Sequence, residues 1–196
     1  MKNAVALIAV AGIASVASAQ NFSLSLVPSA TSVAQSGSFT MSVYGDADMG
    51  THMLGGSFSL SSDSALVSNM SWANAAWSAF NTDGGYAGNG NYNAVIFGQL
   101  IIPGVPPFDQ PAPGSELTGL IGTFTVTVGA DAGDIDFGLN AEDPFSLQTI
   151  DINTGGLFDN SQGQISLGSA RVTVTPAPSA LALLGLGGIA AGRRRR

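Results

Sequence analysis

Apolar residues alternate with small or polar residues, mostly serine or threonine, in six segments of the chain. In FSLSL, for example, Phe22, Leu24 and Leu26 fall on one face and serines on the other. Successive side chains of a β-strand point to opposite faces, so a strand half-buried in an antiparallel sheet shows this pattern. The other segments are SFTMSVYG, GSFSLSS, GTFTVTVG, GDIDFGLN and GQISLGSARVTVT. The alternation predicts an all-β fold.

Clusters of Gly, Asn, Asp and Ser separate these segments, as in a sandwich of short strands. We therefore expect a single antiparallel β-sandwich or jelly roll over residues 20–175. The one candidate for a helical turn or two is Met70–Phe80, MSWANAAWSAF. Two long connections, Asn81–Asn93 and Pro103–Gly114, are rich in glycine and proline, and loops of this length are usually functional or mobile.

The first nineteen residues have the organisation of a signal peptide. Lys2 supplies a positive charge, an apolar run covers Ala4–Ala14, and Ala17 and Ala19 form the small-x-small pattern that signal peptidase recognises. We expect a signal-peptide helix, cleavage before Gln20 and export of the remaining chain. The alternative, a buried N-terminal helix, would have a polar face, and this run has none.

Residues 176–196 form a tail of three parts. Pro176, Ala177 and Pro178 begin it, and Ser179 is suited to cap a following helix. The apolar segment Ala180–Gly192 would extend roughly 20 Å as a helix, less than the roughly 30 Å core of a bilayer. Four terminal arginines are costly to move across a membrane and are attracted to anionic headgroups on its cytoplasmic side. The residues expected to hold the tail in the membrane are Leu181, Leu183, Leu184, Leu186, Ile189, Arg193, Arg194, Arg195 and Arg196.

The charge distribution argues against nucleic acid as a partner. All thirteen acidic residues lie in residues 20–175, where Arg171 is the only Lys or Arg. Thirteen negative charges against one positive charge leave this body with a formal charge of −12. Nucleic acid and anionic lipid surfaces are both bound through Lys and Arg. The chain has no cysteine, so disulfides and thiolate chemistry are excluded.

The sequence offers little material for a catalytic or zinc site. His52 is the only histidine, and no G-x-S-x-G motif is present, so a Ser–His–acid triad would depend on that one residue. One histidine without cysteine does not supply the usual zinc ligands. A glycosidase pair can be drawn from the carboxylates, but nothing in the sequence fixes its separation. We expect a protein that is not an enzyme and has no cofactor.

Acidic residues cluster in DAGDIDF and in AEDPF. Asp131, Asp134 and Asp136, with Glu142 and Asp143 a few residues on, could supply the several oxygen ligands that calcium requires. The spacing is not that of an EF-hand loop. Asp134 and Asp136 also alternate with apolar residues, as carboxylates do on the solvated face of a strand. Both interpretations stay open, with solvated carboxylates favoured.

Four aromatic residues lie in or beside the first long connection. Trp72, Trp77, Tyr86 and Tyr92 would form a sugar-binding patch if their rings were exposed, because pyranose rings stack on aromatic faces. The alternative is that both tryptophans cover one end of the sandwich core, since large aromatic side chains usually supply core area. The second alternative is favoured.

The tail TPAPSALALLGLGGIAAGRRRR resembles the PEP-CTERM sorting signal of bacterial exosortase substrates. It has a Pro-x-Pro motif, a short apolar helix and a terminal arginine cluster, although Ala177 stands where that family most often has Glu. The resemblance implies an inner-membrane-held precursor. An exosortase-type membrane protease with a catalytic cysteine would cut near Pro178 and leave the body at the cell surface or outside the cell.

The body resembles the cohesin and carbohydrate-binding-module type of jelly-roll sandwich. The segments that carry this resemblance are LVPSATSVAQSGSFTMSVYG, GGSFSLSSDSALV and GSELTGLIGTFTVTV. It implies the fold and no binding residues. We expect an exported non-enzymatic protein of the cell surface or extracellular matrix, with exopolysaccharide or another surface protein as partner. The alternative is a carbohydrate-binding or calcium-dependent adhesive module.

Overall fold

Residues 20–102, 104–160 and 164–177, which the computed structural model describes, form two β-sheets packed face to face. They contain no α-helix, and in these ranges no helix is long and apolar enough to cross a membrane. The strands are β1 Asn21–Pro28, β2 Ser32–Ala34, β3 Ser38–Ala47, β4 His52–Ser61, β5 Val67–Asn74, β6 Thr82–Asp83, β7 Tyr86–Gly88, β8 Asn91–Gly98, β9 Leu120–Val128, β10 Gly133–Ala141, β11 Gln148–Asp151, β12 Gly156–Asp159, β13 Gln164–Leu167 and β14 Ser169–Thr175.

The two sheets differ in size. Sheet A has the order β13-β1-β3-β9-β5, and sheet B follows the path β12-β11-β4-β10-β14-β2. Strand β8 lies on the other side of β4 and pairs in turn with β6 and β7. All pairs are antiparallel except β1 with β13 and β14 with β2, which are parallel. The expected all-β sandwich is confirmed, with two parallel pairs that the alternation did not predict.

The first and last strands change sheets together at one edge of the sandwich. Gly168 lies between β13 in sheet A and β14 in sheet B. Its N–H donates to the Leu24 carbonyl at 2.7 Å, and its carbonyl accepts from the Leu139 N–H at 3.0 Å. A Cβ at Gly168 would lie 2.7 Å from the Leu26 nitrogen and 2.9 Å from the Leu24 oxygen, so the crossing requires glycine. The segment GQISLGSARVTVT is therefore two strands in two sheets.

The apolar sides of the alternating segments meet in one core between the sheets. Aromatic rings fill its centre: the Phe124 ring lies 4.6 Å from Trp72 and 6.3 Å from Phe58 between centroids. The predicted core residues that are buried are Phe22, Leu24, Leu26, Phe39, Met41, Val43, Phe58, Leu60, Phe124, Val126, Val128, Ile135, Phe137, Leu139, Val172 and Val174. Ile165 and Leu167 of β13, which the alternation also predicted, are only partly buried against this core. The alternation therefore identifies most of the core in both sheets.

The helical expectation for Met70–Phe80 is wrong. Its first half belongs to β5, which pairs with β9, and its second half is a turn in which the Ser78 N–H donates to the Ala75 carbonyl at 3.1 Å. Met70 and Trp72 are buried while their neighbours are exposed, which is the period of a strand. Packing of Trp72 on the core outweighs the helix preference of the alanines.

Candidate functional site

Three of the four aromatic residues considered for sugar binding are core residues. Trp72, Trp77 and Tyr92 are 9%, 4% and 3% exposed. The Trp72 indole N–H donates to the Asn74 side-chain oxygen, and the Trp77 indole N–H donates to the Leu120 carbonyl, each at 2.7 Å. Buried rings with internal partners offer no face on which a sugar could stack. Both tryptophans therefore lie in the sandwich core, as in the favoured alternative.

The two tyrosine hydroxyls hold the first long connection in place. The half-buried Tyr86 donates to the Val67 carbonyl at 2.7 Å and accepts from the Gly90 N–H at 3.3 Å. Tyr92 donates to the Asp83 carboxylate at 2.7 Å. Burial, with the neighbouring carboxylate, raises the pKa of Tyr92 well above its ordinary value. Both hydroxyls therefore have structural partners, and the four aromatic side chains do not form a shared exposed platform.

The three aspartates considered for calcium are not gathered into a site. Asp136 forms two hydrogen bonds with Arg171, at 2.6 and 2.7 Å, and Asp134 accepts from the Thr173 hydroxyl at 2.7 Å. The Arg171 guanidinium lowers the pKa of Asp136 below its ordinary range. Across the described ranges, no three His, Cys, Asp or Glu side chains lie close enough together to hold a metal ion. Asp131 is exposed in the loop that precedes β10.

His52 lies at the start of β4. Its Nδ1 is 2.9 Å from the Thr51 hydroxyl, which itself donates to the Ile150 carbonyl at 3.2 Å. Its backbone forms an antiparallel bridge with Glu116. These contacts position the start of the strand against β11 and the loop before β9.

The structure describes three of the predicted sorting residues. The Gln20 carbonyl accepts from the Gln164 N–H at 3.0 Å, so the residue at the predicted cleavage position contacts the start of β13. Pro176 and Ala177 follow β14 directly, and the Ala177 N–H donates to the Gln35 side chain at 3.3 Å. The remaining sorting and membrane residues lie outside the described ranges: Ala17, Ala19, Pro178, Ser179, Leu181, Leu183, Leu184, Leu186, Ile189, Arg193, Arg194, Arg195 and Arg196.

The two ends of the body lie at opposite ends of the sandwich. Strand β13 runs parallel to β1, and β14 runs parallel to β2 in the other sheet. Only Gly168 separates β13 from β14, so this edge of the molecule runs in one direction from Gln20 to Thr175. A tail that begins at Pro176 therefore leaves from the end remote from Gln20.

Sheet B carries an exposed apolar groove that the sequence analysis did not identify. Its large exposed side chains include Leu157, Phe80, Phe145 and Leu100, which are 67%, 56%, 52% and 45% exposed. The cavity has a volume of about 310 Å³. The apolar groove is defined by Leu54, Phe80, Ile96, Leu100, Phe145 and Leu157.

The floor of the apolar groove is backbone. Gly55 of β4 and Gly98 of β8 lie opposite each other in the sheet, and both line the cavity. Glycines paired within a sheet let another chain approach the backbone closely. The groove is therefore open to a ligand along its base as well as at its walls.

The apolar surface continues beyond the groove into the second long connection. Phe80 and Leu100 also line a neighbouring depression of about 370 Å³, together with Phe108 and three prolines. Ile102 and Val105 are exposed in the same turn, where the Ile102 N–H donates to the Phe108 carbonyl at 2.6 Å. Among the described residues, seven of the eight exposed large apolar side chains lie in this region. Such clustering marks an interaction surface rather than scattered exposure.

Carboxylates lie beside the groove. Phe145 also lines a polar pocket of about 290 Å³ whose walls include Glu142 and Asp143. The Ser59 hydroxyl donates to the Glu142 carboxylate at 2.6 Å, which fixes that group at the outer side of β4. The site therefore combines an apolar centre with a negative flank.

The groove lies at the end of the sandwich remote from the tail. Strand β10 is antiparallel to both β4 and β14, so β4 runs in the same direction as β14. Gly55 lies near the beginning of β4, whereas Thr175 ends β14. The groove and the exit point of the chain are therefore at opposite ends.

Comparison with solved structures identifies the fold. The seventh ScaB type I cohesin from Pseudobacteroides cellulosolvens superposes with a TM-score of 0.54 at 11% identity, over 81% of this chain and 94% of the cohesin. CaCohA2 from Clostridium acetobutylicum superposes with a TM-score of 0.50 at 15% identity, over 80% of this chain and 92% of its own. The fold is that of a cohesin module. At these identities the likeness shows the fold alone. No family model and no curated protein matches the sequence.

Proposed function

We propose that the chain is an exported, non-enzymatic binding module that holds a protein partner in the apolar groove. The observation that carries the proposal is the clustering of exposed apolar side chains over a glycine floor on the cohesin-type sandwich. Soluble proteins rarely expose a contiguous apolar region of this kind without a partner. Exposed aromatic side chains around a cavity are typical of the residues that dominate binding energy in protein interfaces.

The negative charge of the body favours a partner segment that is positively charged. A formal charge of −12, with Glu142 and Asp143 beside the groove, favours a segment whose apolar side chains are flanked by Lys or Arg. Opposite charges speed association, and salt screens them over about 10 Å at 0.1 M ionic strength. We therefore expect the affinity for the partner and the rate of association both to fall as the salt concentration is raised.

We further propose that the chain is organised as residues 1–19, 20–175 and 176–196, with the first segment removed on export and the last used for sorting. Among the described residues, the strands of the sandwich run from Asn21 to Thr175, a span that lies within the proposed middle segment. A body held by its tail would present the groove at the end farthest from the membrane. This orientation suits a surface protein whose partner arrives from outside.

The test is photo-crosslinking in the cells that produce the protein. A photoreactive amino acid that replaces Leu157 places the crosslinker in the groove. The matched control carries the same photoreactive amino acid in place of Val27, which is 49% exposed and lies on sheet A. We expect a discrete protein adduct from position 157 and none from position 27. The Phe80→Ala/Leu100→Ala substitutions should abolish this adduct. The crosslinked peptide of the partner should contain apolar residues together with Lys or Arg. No adduct, or the same adduct from Val27, contradicts it.

A further inference from the structure

The outer face of sheet A is an ordered array of hydroxyl groups. The residues between the buried core positions of β3, β9 and β5 point outward and stand opposite one another across the strands. In one row Thr40 pairs with Thr125, which pairs with Ser71. The neighbouring rows are Ser38–Thr127–Asn69 and Ser42–Thr123–Ala73. The hydroxyl face is defined by Ser38, Thr40, Ser42, Ser71, Thr123, Thr125 and Thr127.

The spacing of this array follows from β geometry. Strands in a sheet lie about 4.8 Å apart, and residues two apart along one strand are separated by roughly 6.7 Å. The hydroxyl face is therefore a grid of donors and acceptors about three strands wide and three rows long. Such a grid matches a polymer that carries several hydroxyls on each repeating unit.

Most of these hydroxyls have no partner in the described part of the chain. Ser38 and Thr127 share one contact at 3.2 Å, whereas the side chains of Thr40, Thr123 and Thr125 form no hydrogen bond with other described residues. A Ser or Thr hydroxyl donates one hydrogen bond and accepts two. The central groups of the face are therefore available to an external ligand.

Charge is excluded from this face although the body is strongly acidic. Among the strands of sheet A, only Asp46 at the end of β3 is charged, and the other twelve acidic residues lie elsewhere. The solvated face of sheet B, by contrast, carries Asp134, Asp136 and Arg171. Ordinary solvated surfaces have interspersed charges. Uncharged hydroxyls favour a ligand that is itself uncharged and rich in hydroxyls.

One end of the hydroxyl face has a shallow depression of about 360 Å³. It is lined by Tyr44 and Asp46 of β3, by Ser23 and Ser25 of β1, and by Thr118. The half-buried Tyr44 forms no hydrogen bond with other described residues, so its hydroxyl is available and its ring offers an apolar edge. A carboxylate that accepts from sugar hydroxyls, beside an aromatic ring and serines, is a suitable subsite for one pyranose unit.

We propose that the hydroxyl face and the Tyr44 depression bind a neutral polysaccharide. The aromatic residues first considered for sugar contact take no part, since three of them are buried in the core. The site lies on the opposite sheet from the apolar groove, so one molecule could hold a protein partner and a polysaccharide strand at once. The proposal does not depend on the groove or on the sorting tail.

The test is affinity electrophoresis of the folded body in native gels that contain a polysaccharide. The probes are dextran, galactomannan and hydroxyethylcellulose as neutral polymers, and alginate as an anionic one. The variant is Thr40→Val/Thr123→Val/Thr125→Val, because valine keeps the shape and strand preference of threonine and removes the hydroxyl. The control is Thr173→Val/Thr175→Val on β14 of sheet B, which removes two hydroxyls that already donate within the protein, to Asp134 and to the Val33 carbonyl. Circular dichroism establishes that each variant is folded.

The proposal expects retardation by at least one neutral polymer and none by alginate. The triple variant is expected to bind roughly tenfold to a thousandfold more weakly, since three net hydrogen bonds are lost. The Thr173/Thr175 control and the groove variant Phe80→Ala/Leu100→Ala are expected to bind as the parent does.

Three results would overturn the proposal: no retardation by any neutral probe, equal retardation of the triple variant, or equal loss in the control. If the triple variant fails to fold, Tyr44→Ala replaces it and must weaken retardation. If the parent protein is not retarded and the triple variant also loses the crosslinked adduct at position 157, the hydroxyl face binds the protein partner instead of a polysaccharide. Failure of the groove proposal alone would leave retardation unchanged.

Discussion

Replacing Gly168 by alanine tests the close packing of the chain against β1 at the point where it crosses from β13 in sheet A to β14 in sheet B. The added Cβ would lie 2.7 Å from the Leu26 nitrogen and 2.9 Å from the Leu24 oxygen, and both are backbone atoms of a paired strand. Relief requires Gly168 to move away from β1, which weakens its hydrogen bond to the Leu24 carbonyl and shifts its own carbonyl away from the Leu139 N–H. Overpacking costs about 1–3 kcal/mol and each hydrogen bond contributes about 0.5–1.5 kcal/mol. We expect a loss of about 2–6 kcal/mol in the free energy of unfolding.

Urea unfolding followed by tryptophan fluorescence measures this change. With a slope of about 2 kcal/mol per molar urea, the midpoint should fall by about 1–3 M. The matched control is Gly138→Ala in β10, where an added Cβ meets nothing nearer than the Ser61 hydroxyl at 3.9 Å. That variant should stay within about 0.5 kcal/mol of the parent. A Gly168→Ala protein as stable as the parent, or an equal loss in the control, would refute the reasoning.

Three further predictions concern the core, the ion pair and the groove. Trp77→Ala should destabilise the fold by about 3–5 kcal/mol in urea unfolding, because it leaves a cavity and removes the hydrogen bond to the Leu120 carbonyl; an unchanged midpoint would contradict its core role. Arg171 lowers the pKa of Asp136, so the stabilisation is present above the ordinary aspartate pKa of 3.8 and is lost as the pH falls below it. Asp136→Asn should therefore lose less stability than the parent between pH 6 and pH 3, and parallel curves would contradict the pairing. Phe80→Ala/Leu100→Ala should change the unfolding free energy by about 1 kcal/mol or less, since both side chains are largely exposed, and a larger loss would make them structural.

The alternation of apolar and hydroxyl residues predicted most of the core, because one face of each strand must be buried and the other solvated. It treated GQISLGSARVTVT as one segment, although the apolar positions shift by one residue across Gly168, from Ile165 and Leu167 to Val172 and Val174. That shift marks the change of sheet. It also missed β5, because Ala73 and the following Ala75 and Ala76 favour a helix, whereas the packing of Trp72 on Phe124 favours a strand.

The apolar groove could not be predicted because its residues come from separate parts of the chain. Phe80, Leu100, Phe145 and Leu157 become neighbours only when β8 and β11 pair on opposite sides of β4. The one sequence signal was the long proline-rich connection Pro103–Gly114, whose length indicates function. The hydroxyl face was visible as alternating Ser and Thr, but its rows depend on the register between strands.

The intact mass of the protein recovered from fractionated cells tests most directly that this body acts outside the cell. The account predicts a chain in the surface or extracellular fraction that begins at Gln20 and ends near Pro178, with or without an added surface component. A chain that keeps the terminal arginines in the membrane fraction would make the tail a permanent anchor and contradict processing. A chain that keeps residues 1–19 in the cytoplasmic fraction would contradict export itself.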